Sequence, residues 1–338
     1  MSEFKAAVLF NQHQDLEIVS LGHVEPEEGQ VKVRMISSGL CGAQINEITG
    51  VKGEDKFLPH MMGHEGFGEV VSVGGNVSFV KEGDFVILHW RQGRGQNVFG
   101  GKYKLGDLVV GSGPVTTFSE FSIVSENRCT VIQPKDDLSL LYPLMGCALS
   151  TAYGIVNVEN DVAAASNTLV SGGGGLGLAI AAMLKTKQLE NVDIFERSMT
   201  KDELLETYSK TILHSANEMP EKTYDYVFET TGDVNVISKC FNSLRKGGRL
   251  VLVGQPRIGS SLTLANPLKF FDSIRISASD GGGFVPERHM QPLIDLVDAN
   301  TDFVKPLVTH TIGLDDVNKG FEKMRAGSCG RVMITFNQ

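Results

Sequence analysis

Residues 168–186 read TLVSGGGGLGLAIAAMLKT: a short apolar run, four consecutive glycines, then a long apolar stretch with helical character. Gly172, Gly174 and Gly177 hold the G-x-G-x-x-G spacing, and in that context each glycine has its own physical task. The first permits a tight turn, the second lets a bulky anion approach the backbone, and the third lets helix and strand pack closely. The start of the helix adds unpaired N–H groups and a positive dipole end. The pattern predicts a strand–turn–helix unit that binds a dinucleotide pyrophosphate. Glu196, in NVDIFERS, follows Gly172 by 24 positions at the end of the next strand-like run. Its carboxylate suits adenosine ribose hydroxyls and repels a 2′-phosphate, whereas Arg197 beside it accommodates one, so NAD is favoured over NADP.

The rest of the chain divides around this unit. Before it lie short β-branched runs separated by glycine, at 31–36, 68–73, 84–88 and 118–124, which predict a β-rich domain. From about Thr151 strands alternate with helical stretches, including YDYVFETTG and GGRLVLVG, which predicts a parallel, helix-covered sheet. A helix at 287–299 then leads to RVMITF, a strand with no place in a doubly wound sheet and expected to return to the first domain. The fold class is therefore α/β, with a β-rich domain over 1–150 completed by 285–338 and a Rossmann doubly wound domain over 151–284.

The 338 residues carry 31 Lys plus Arg against 40 Asp plus Glu, a net charge of −9. That balance argues against general binding to nucleic acid or to anionic membrane. The apolar stretch 167–184 is broken by glycines and followed by Lys185, unlike a membrane span. Five scattered cysteines do not form a disulfide framework and fit a reducing compartment, so the cytoplasm is expected.

Cys41 lies in GLCG, His64 and Glu65 in GHEGFGEV, and Cys147 in MGCALSTAYG. Two thiolates and an imidazole suit a zinc ion with one coordination position left open. Separations of 23 and 83 residues are unlike a zinc finger, so any such site must be assembled by tertiary folding. Taken singly, a cysteine such as Cys147 is more often a small buried hydrophobe and a histidine such as His64 a satisfied core residue than a metal ligand.

Together, GLCG, GHEGFGEVVSVG, GCALSTAYG, GGGGLG, TTG and GGRLVLVG occur in the order seen in zinc-dependent medium-chain dehydrogenases/reductases, and the chain resembles their alcohol dehydrogenase-like group over nearly its whole length. The resemblance implies a GroES-like catalytic domain beside the Rossmann domain, and Cys41, His64 and Cys147 as catalytic zinc ligands. Glu65 is then a support behind the ligands or an exchangeable ligand, Thr151 and Leu176 flank the nicotinamide, and Arg331 meets the pyrophosphate. It also implies a homodimer or homotetramer and hydride transfer between NAD and an alcohol.

Two departures stand out. No cysteine lies between Gly42 and Arg128, so the family's second, structural zinc is not expected. Ala43 and Gln44 occupy positions where relatives usually carry a proton-relaying Ser or Thr and an Asp that supports the zinc-bound histidine. Gln44 can accept from the imidazole through its amide oxygen, but Ala43 relays nothing. Proton transfer then falls to Glu65, Asn46, Glu47, His89, a ribose hydroxyl or water. The loop HWRQGR adds Trp90, Arg91 and Arg94, which give a substrate pocket polar character and favour a polar secondary alcohol, polyol or sugar derivative. The alternatives are a zinc-free NADPH quinone or enoyl reductase, or a non-catalytic dinucleotide-binding protein of the same fold.

Overall fold

A computed structural model describes residues 3–51, 53–264 and 266–336. Its parallel sheet has six strands in the order Thr211–Leu213, Val192–Phe195, Thr168–Ser171, Tyr224–Glu229, Leu244–Leu252 and Arg275–Ala278. Every neighbouring pair is parallel, which is the 3-2-1-4-5-6 order of a Rossmann sheet. Thr168–Ser171 is buried along its whole length, as a central strand covered on both faces must be. The helix Gly175–Thr186 is buried from Gly177 to Leu184, which explains why its sequence is apolar on all sides. The polar stretch after Glu196 yields only one short helix, Asp202–Glu206.

The first part of the chain folds into two sheets. One contains Glu3–Leu9 paired antiparallel with Glu17–Gly22. The other is built on Gln30–Gly39, which pairs with both Gly66–Val73 and Phe121–Ser125. Alternation places Val31, Val33 and Met35 in the core. The expected return is present: Arg331–Thr335 lies antiparallel to Gln30–Gly39, with Met333 opposite Gly39. It also pairs in parallel with Val308–Ile312, a strand the hydrophobic pattern did not announce.

Short helices over Tyr142–Met145 and Ala148–Tyr153 lead from one part to the other. They join a continuous core in which Phe67, Ile87 and Met333 share contacts with Leu149, Val170, Leu178 and Phe228. This shared core fixes the carboxyl ends of the parallel strands against the Cys41 and His64 turns. Among the described residues, no helix is long and apolar enough to cross a membrane.

Candidate active site

The two parts enclose a cleft of about 1110 Å³ at the carboxyl ends of the parallel strands, where an open α/β sheet binds its ligands. The glycine turn forms one wall. Gly172 has φ of +102°, a conformation that disfavours any side chain. A Cβ at Gly177 would stand 1.8 Å from the Gly172 carbonyl oxygen, so only glycine lets the helix pack there. A Cβ at Gly174 would meet none of the described atoms within 4 Å; it would project into open space. The three glycines thus have three different environments, as their spacing predicts.

Glu196 also lines the cleft. It accepts from Gly173 N–H at 3.0 Å and from Ser198 N–H at 3.0 Å, which ties the carboxylate to the glycine turn. Lys201, only 8% exposed, places its ammonium 3.5 Å from Glu196. No motif flagged Lys201, because a lysine in a polar stretch reads as solvated until the fold buries it. Arg197, Thr151 and Leu176 line the same cleft.

Opposite the turn, Cys41, His64 and Cys147 come together with their ligand atoms within 4.8 Å of one another. Cys41 precedes the helix Gly42–Ile48, and Cys147 precedes Ala148–Tyr153. His64 Nε2 lies 3.3 Å from Cys147 Sγ. The hydrogen bond from Cys147 holds the Cys41 thiol well below its usual range, against the upward push of burial and with help from His64 and Arg331. Cys147 is correspondingly pushed up by the same bond and by burial. Two half-buried sulfurs sharing a proton beside an imidazole nitrogen are a donor set that fits zinc.

Glu65 lies outside that set. Its Oε1 pairs with Arg331 Nη2 at a fully buried position, and its Oε2 has no hydrogen-bond partner among the described residues. Arg331 runs on beneath the glycine turn, where a Cβ at Gly175 would touch its guanidinium at 2.9 Å. One arginine therefore joins the residue after His64 to the helix start.

Gln44 reaches His64, although not in the orientation expected. Its oxygen accepts from Cys41 N–H at 2.8 Å, so the amide nitrogen is what faces His64 Nδ1, at 2.6 Å. Asn46 lines the cleft, whereas His89 does not. His89 is 1% exposed, with Nδ1 bonded to the Arg91 carbonyl and Nε2 to Thr130 Oγ1, at 2.7 and 3.0 Å. Burial lowers its pKa to about 4. The strand ending at Leu88 turns this ring inward, which removes His89 from the groups that can exchange a proton with a ligand in the cleft.

Trp90 lines the cleft and packs against Gly281. Arg91 stacks over Trp90 at 5.0 Å, and its nitrogens bond the carbonyls of Asp280 and Phe284. It holds the tryptophan in place and is not itself among the cleft-lining residues. Arg94 is exposed and stacks on Phe79, at 5.6 Å.

A Rossmann sheet opening onto a Cys2His cluster defines a two-domain dehydrogenase. Residues 27–134 match the alcohol dehydrogenase GroES-like domain, and residues 201–332 match the zinc-binding dehydrogenase domain. The chain is 27% identical to an S-(hydroxymethyl)glutathione dehydrogenase of Photobacterium damsela subsp. piscicida, over 98% of this chain and 99% of that one. Its fold is similar to benzyl alcohol dehydrogenase from Acinetobacter calcoaceticus, with a TM-score of 0.87 at 19% identity over the full length of both chains. It is also similar to 2R,3R-butanediol dehydrogenase from Bacillus subtilis, with a TM-score of 0.77 at 24% identity over 99% of this chain and 100% of that one. The chain belongs to the zinc-type medium-chain dehydrogenases/reductases, in their alcohol dehydrogenase-like group, and is an oxidoreductase.

Proposed function

We propose that this protein transfers a hydride between a polar secondary alcohol, polyol or sugar derivative and NAD, with one catalytic zinc held by Cys41, His64 and Cys147. The observation that carries the reading is the convergence of those three ligand atoms on the cleft into which the glycine turn opens. Zinc bound there supplies Lewis-acid polarisation of the substrate oxygen.

The chain's own residues supply the rest. The N–H groups at the start of Gly175–Thr186, with open space beside Gly174, receive the pyrophosphate. Thr151 and Leu176 border the nicotinamide region, and Glu196 receives the adenosine ribose. Lys201 and Arg197 beside Glu196 make NADP the second reading, since both add positive charge where a 2′-phosphate would lie. Trp90, braced by Arg91, forms the apolar wall against which the substrate carbon lies. With Ala43 lacking a hydroxyl and His89 turned inward, Asn46 orients the ribose hydroxyl or water that takes the substrate proton to solvent.

The proposed domains are 1–150 with 285–338, and 151–284, in line with the pairing of Arg331–Thr335 to Gln30–Gly39. We also propose a homo-oligomer. Arg275–Ala278 is an edge strand, and Ile258, Leu268 and Phe271 nearby in the chain are 73%, 71% and 87% exposed; Ala265 in this segment lies outside the described residues. All five cysteines are free, which supports a cytoplasmic setting.

The test is elemental analysis with a turnover assay. The reading expects zinc that is lost in Cys147→Ser, together with NAD reduction by polyols or secondary alcohols that falls in parallel. Full turnover in zinc-free protein would overturn it.

A further inference from the structure

Residues 89–100, HWRQGRGQNVFG, contain no cysteine and form neither strand nor helix. The segment nevertheless carries Trp90 into the cleft and Arg91 to the carbonyls of Asp280 and Phe284. An irregular stretch that places a cleft side chain must satisfy its backbone groups through contacts outside itself.

Three consecutive residues supply most of those contacts. Glu126–Arg128 forms a single 3₁₀ turn, and all three residues are buried. Glu126 Oε1 accepts from the N–H groups of Ser78 and Phe79, at 2.5 and 2.8 Å, and Oε2 from Gln96 N–H at 3.1 Å. The Asn127 carbonyl accepts from Gly93 N–H at 2.7 Å, and the Arg128 carbonyl from His89 N–H at 3.0 Å. The Arg128 guanidinium donates through Nη1 to the Trp90 carbonyl and through Nη2 to Asn97 Oδ1 at 3.2 Å.

Glu126 and Arg128 carry opposite charges two residues apart, yet their hydrogen bonds run to this segment and its neighbours and not to each other. Taking a guanidinium out of water to meet only neutral acceptors is costly, so apolar packing does not account for Arg128. Its planar fork of donors, matched to a carbonyl and an amide oxygen, does.

The surroundings leave the indole little freedom. Trp90 N–H donates to the carbonyl of Gly146, the residue before Cys147, at 3.4 Å. Arg91 lies over the ring at 5.0 Å, and a Cβ at Gly281 would stand 2.6 Å from Trp90 Cζ2. The ring is thus bounded on two sides, and its backbone is held from behind by Arg128.

We propose that Arg128 is a positioning residue: it holds the Trp90 carbonyl and, with Glu126, keeps the segment in the conformation that stands the indole in the cleft. Arg128 is not among the cleft-lining residues, so it acts on a substrate only through Trp90. That effect on the substrate rests on the reading of Trp90 as the substrate wall.

Trp90 is the only tryptophan of the chain, so intrinsic fluorescence reports on it alone and needs no substrate. Emission maximum and acrylamide quenching are measured on the protein as purified and on Arg128→Met, Arg128→Lys and Glu126→Gln, with NADH absent. NADH affinity, zinc content and circular dichroism are measured on the same samples. In Arg128→Met, quenching is expected to rise severalfold and emission to move to longer wavelength. Arg128→Lys, which keeps the charge but not the fork, should change less, and it carries the comparison if Arg128→Met does not fold. NADH affinity and zinc content should stay close to those of the parent, while KM for a secondary alcohol rises by more than kcat falls. Unchanged quenching and emission in the folded Arg128 variants would show that Trp90 is held without this residue and overturn the proposal. Quenching that rises together with equal losses of NADH and zinc would show a general loosening of the domain and overturn it as well. A parent that turns over no alcohol would defeat the hydride-transfer reading, and the fluorescence result would still decide whether Arg128 holds Trp90.

Discussion

Gln44 Nε2 lies 2.6 Å from His64 Nδ1 because the Gln44 oxygen is already held by the Cys41 N–H. A cation on Nε2 requires the ring proton on Nδ1, where it meets an amide NH2 and no acceptor. Metal loading must therefore turn the amide around and release the Cys41 N–H, or leave the ring proton unpaired. Gln44→Glu keeps the side-chain length and offers an acceptor to both groups. It is expected to tighten zinc about tenfold, while Gln44→Ala loosens it by about 10–100-fold. Competition against a chelator of known affinity measures both; equal affinity in all three proteins would remove Gln44 from the support of His64.

The Glu65–Arg331 pair is buried on both sides. Breaking such a pair by removing one charge typically costs about 3–5 kcal/mol, whereas replacing both partners with apolar groups costs far less. Glu65→Gln is expected to lower the denaturant midpoint sharply, and Glu65→Leu combined with Arg331→Met to recover most of the loss. Because Arg331 also lies against Gly175, both variants should bind NADH more weakly than the parent. A midpoint unmoved by Glu65→Gln would mean that the buried pair contributes little to stability.

Two alanine substitutions in the glycine turn separate packing from ligand approach. Gly177→Ala drives a methyl into the Gly172 carbonyl and is expected to cost stability and cofactor binding together. Gly174→Ala clashes with none of the described atoms, so its stability should stay within about 0.5 kcal/mol of the parent. NADH binding, followed by fluorescence, should nevertheless fall, since the methyl occupies the space assigned to the pyrophosphate. If Gly174→Ala binds NADH normally, the pyrophosphate lies elsewhere.

The parts of this architecture that were legible in the sequence are those written locally. Gly172, Gly174 and Gly177 announce their turn because each backbone constraint acts within a few residues, and RVMITF was legible as a strand out of place. The site is non-local, and the sequence carried it less well. Cys41, His64 and Cys147 were connected through family resemblance, since separations of 23 and 83 residues encode no geometry by themselves. His89 reads as a cleft residue because it follows a strand beside Trp90, yet both its ring nitrogens are taken up inside the fold, by the Arg91 carbonyl and Thr130. Lys201 needed the fold: it is an ordinary polar residue until tertiary packing buries it. The Gln44 amide orientation depends on one backbone N–H, a detail below the reach of pattern.

His89 gives the fold an acid-sensitive point away from the proposed chemistry. Its pKa falls from 6.5 to about 4 on folding, chiefly through burial. Between those values the unfolded chain holds a proton on this ring that the folded chain does not, so stability rises with pH across the window and is lost as pH drops through it. One such proton gives a slope of at most about 1.4 kcal/mol per pH unit. His89→Asn keeps a donor for the Arg91 carbonyl but cannot titrate. Urea unfolding across this window should give a flatter pH dependence for His89→Asn than for the parent, with contributions from the carboxylates cancelling in the difference. Parallel curves would show that the buried ring is charged in the native state, contrary to its hydrogen bonds and its burial.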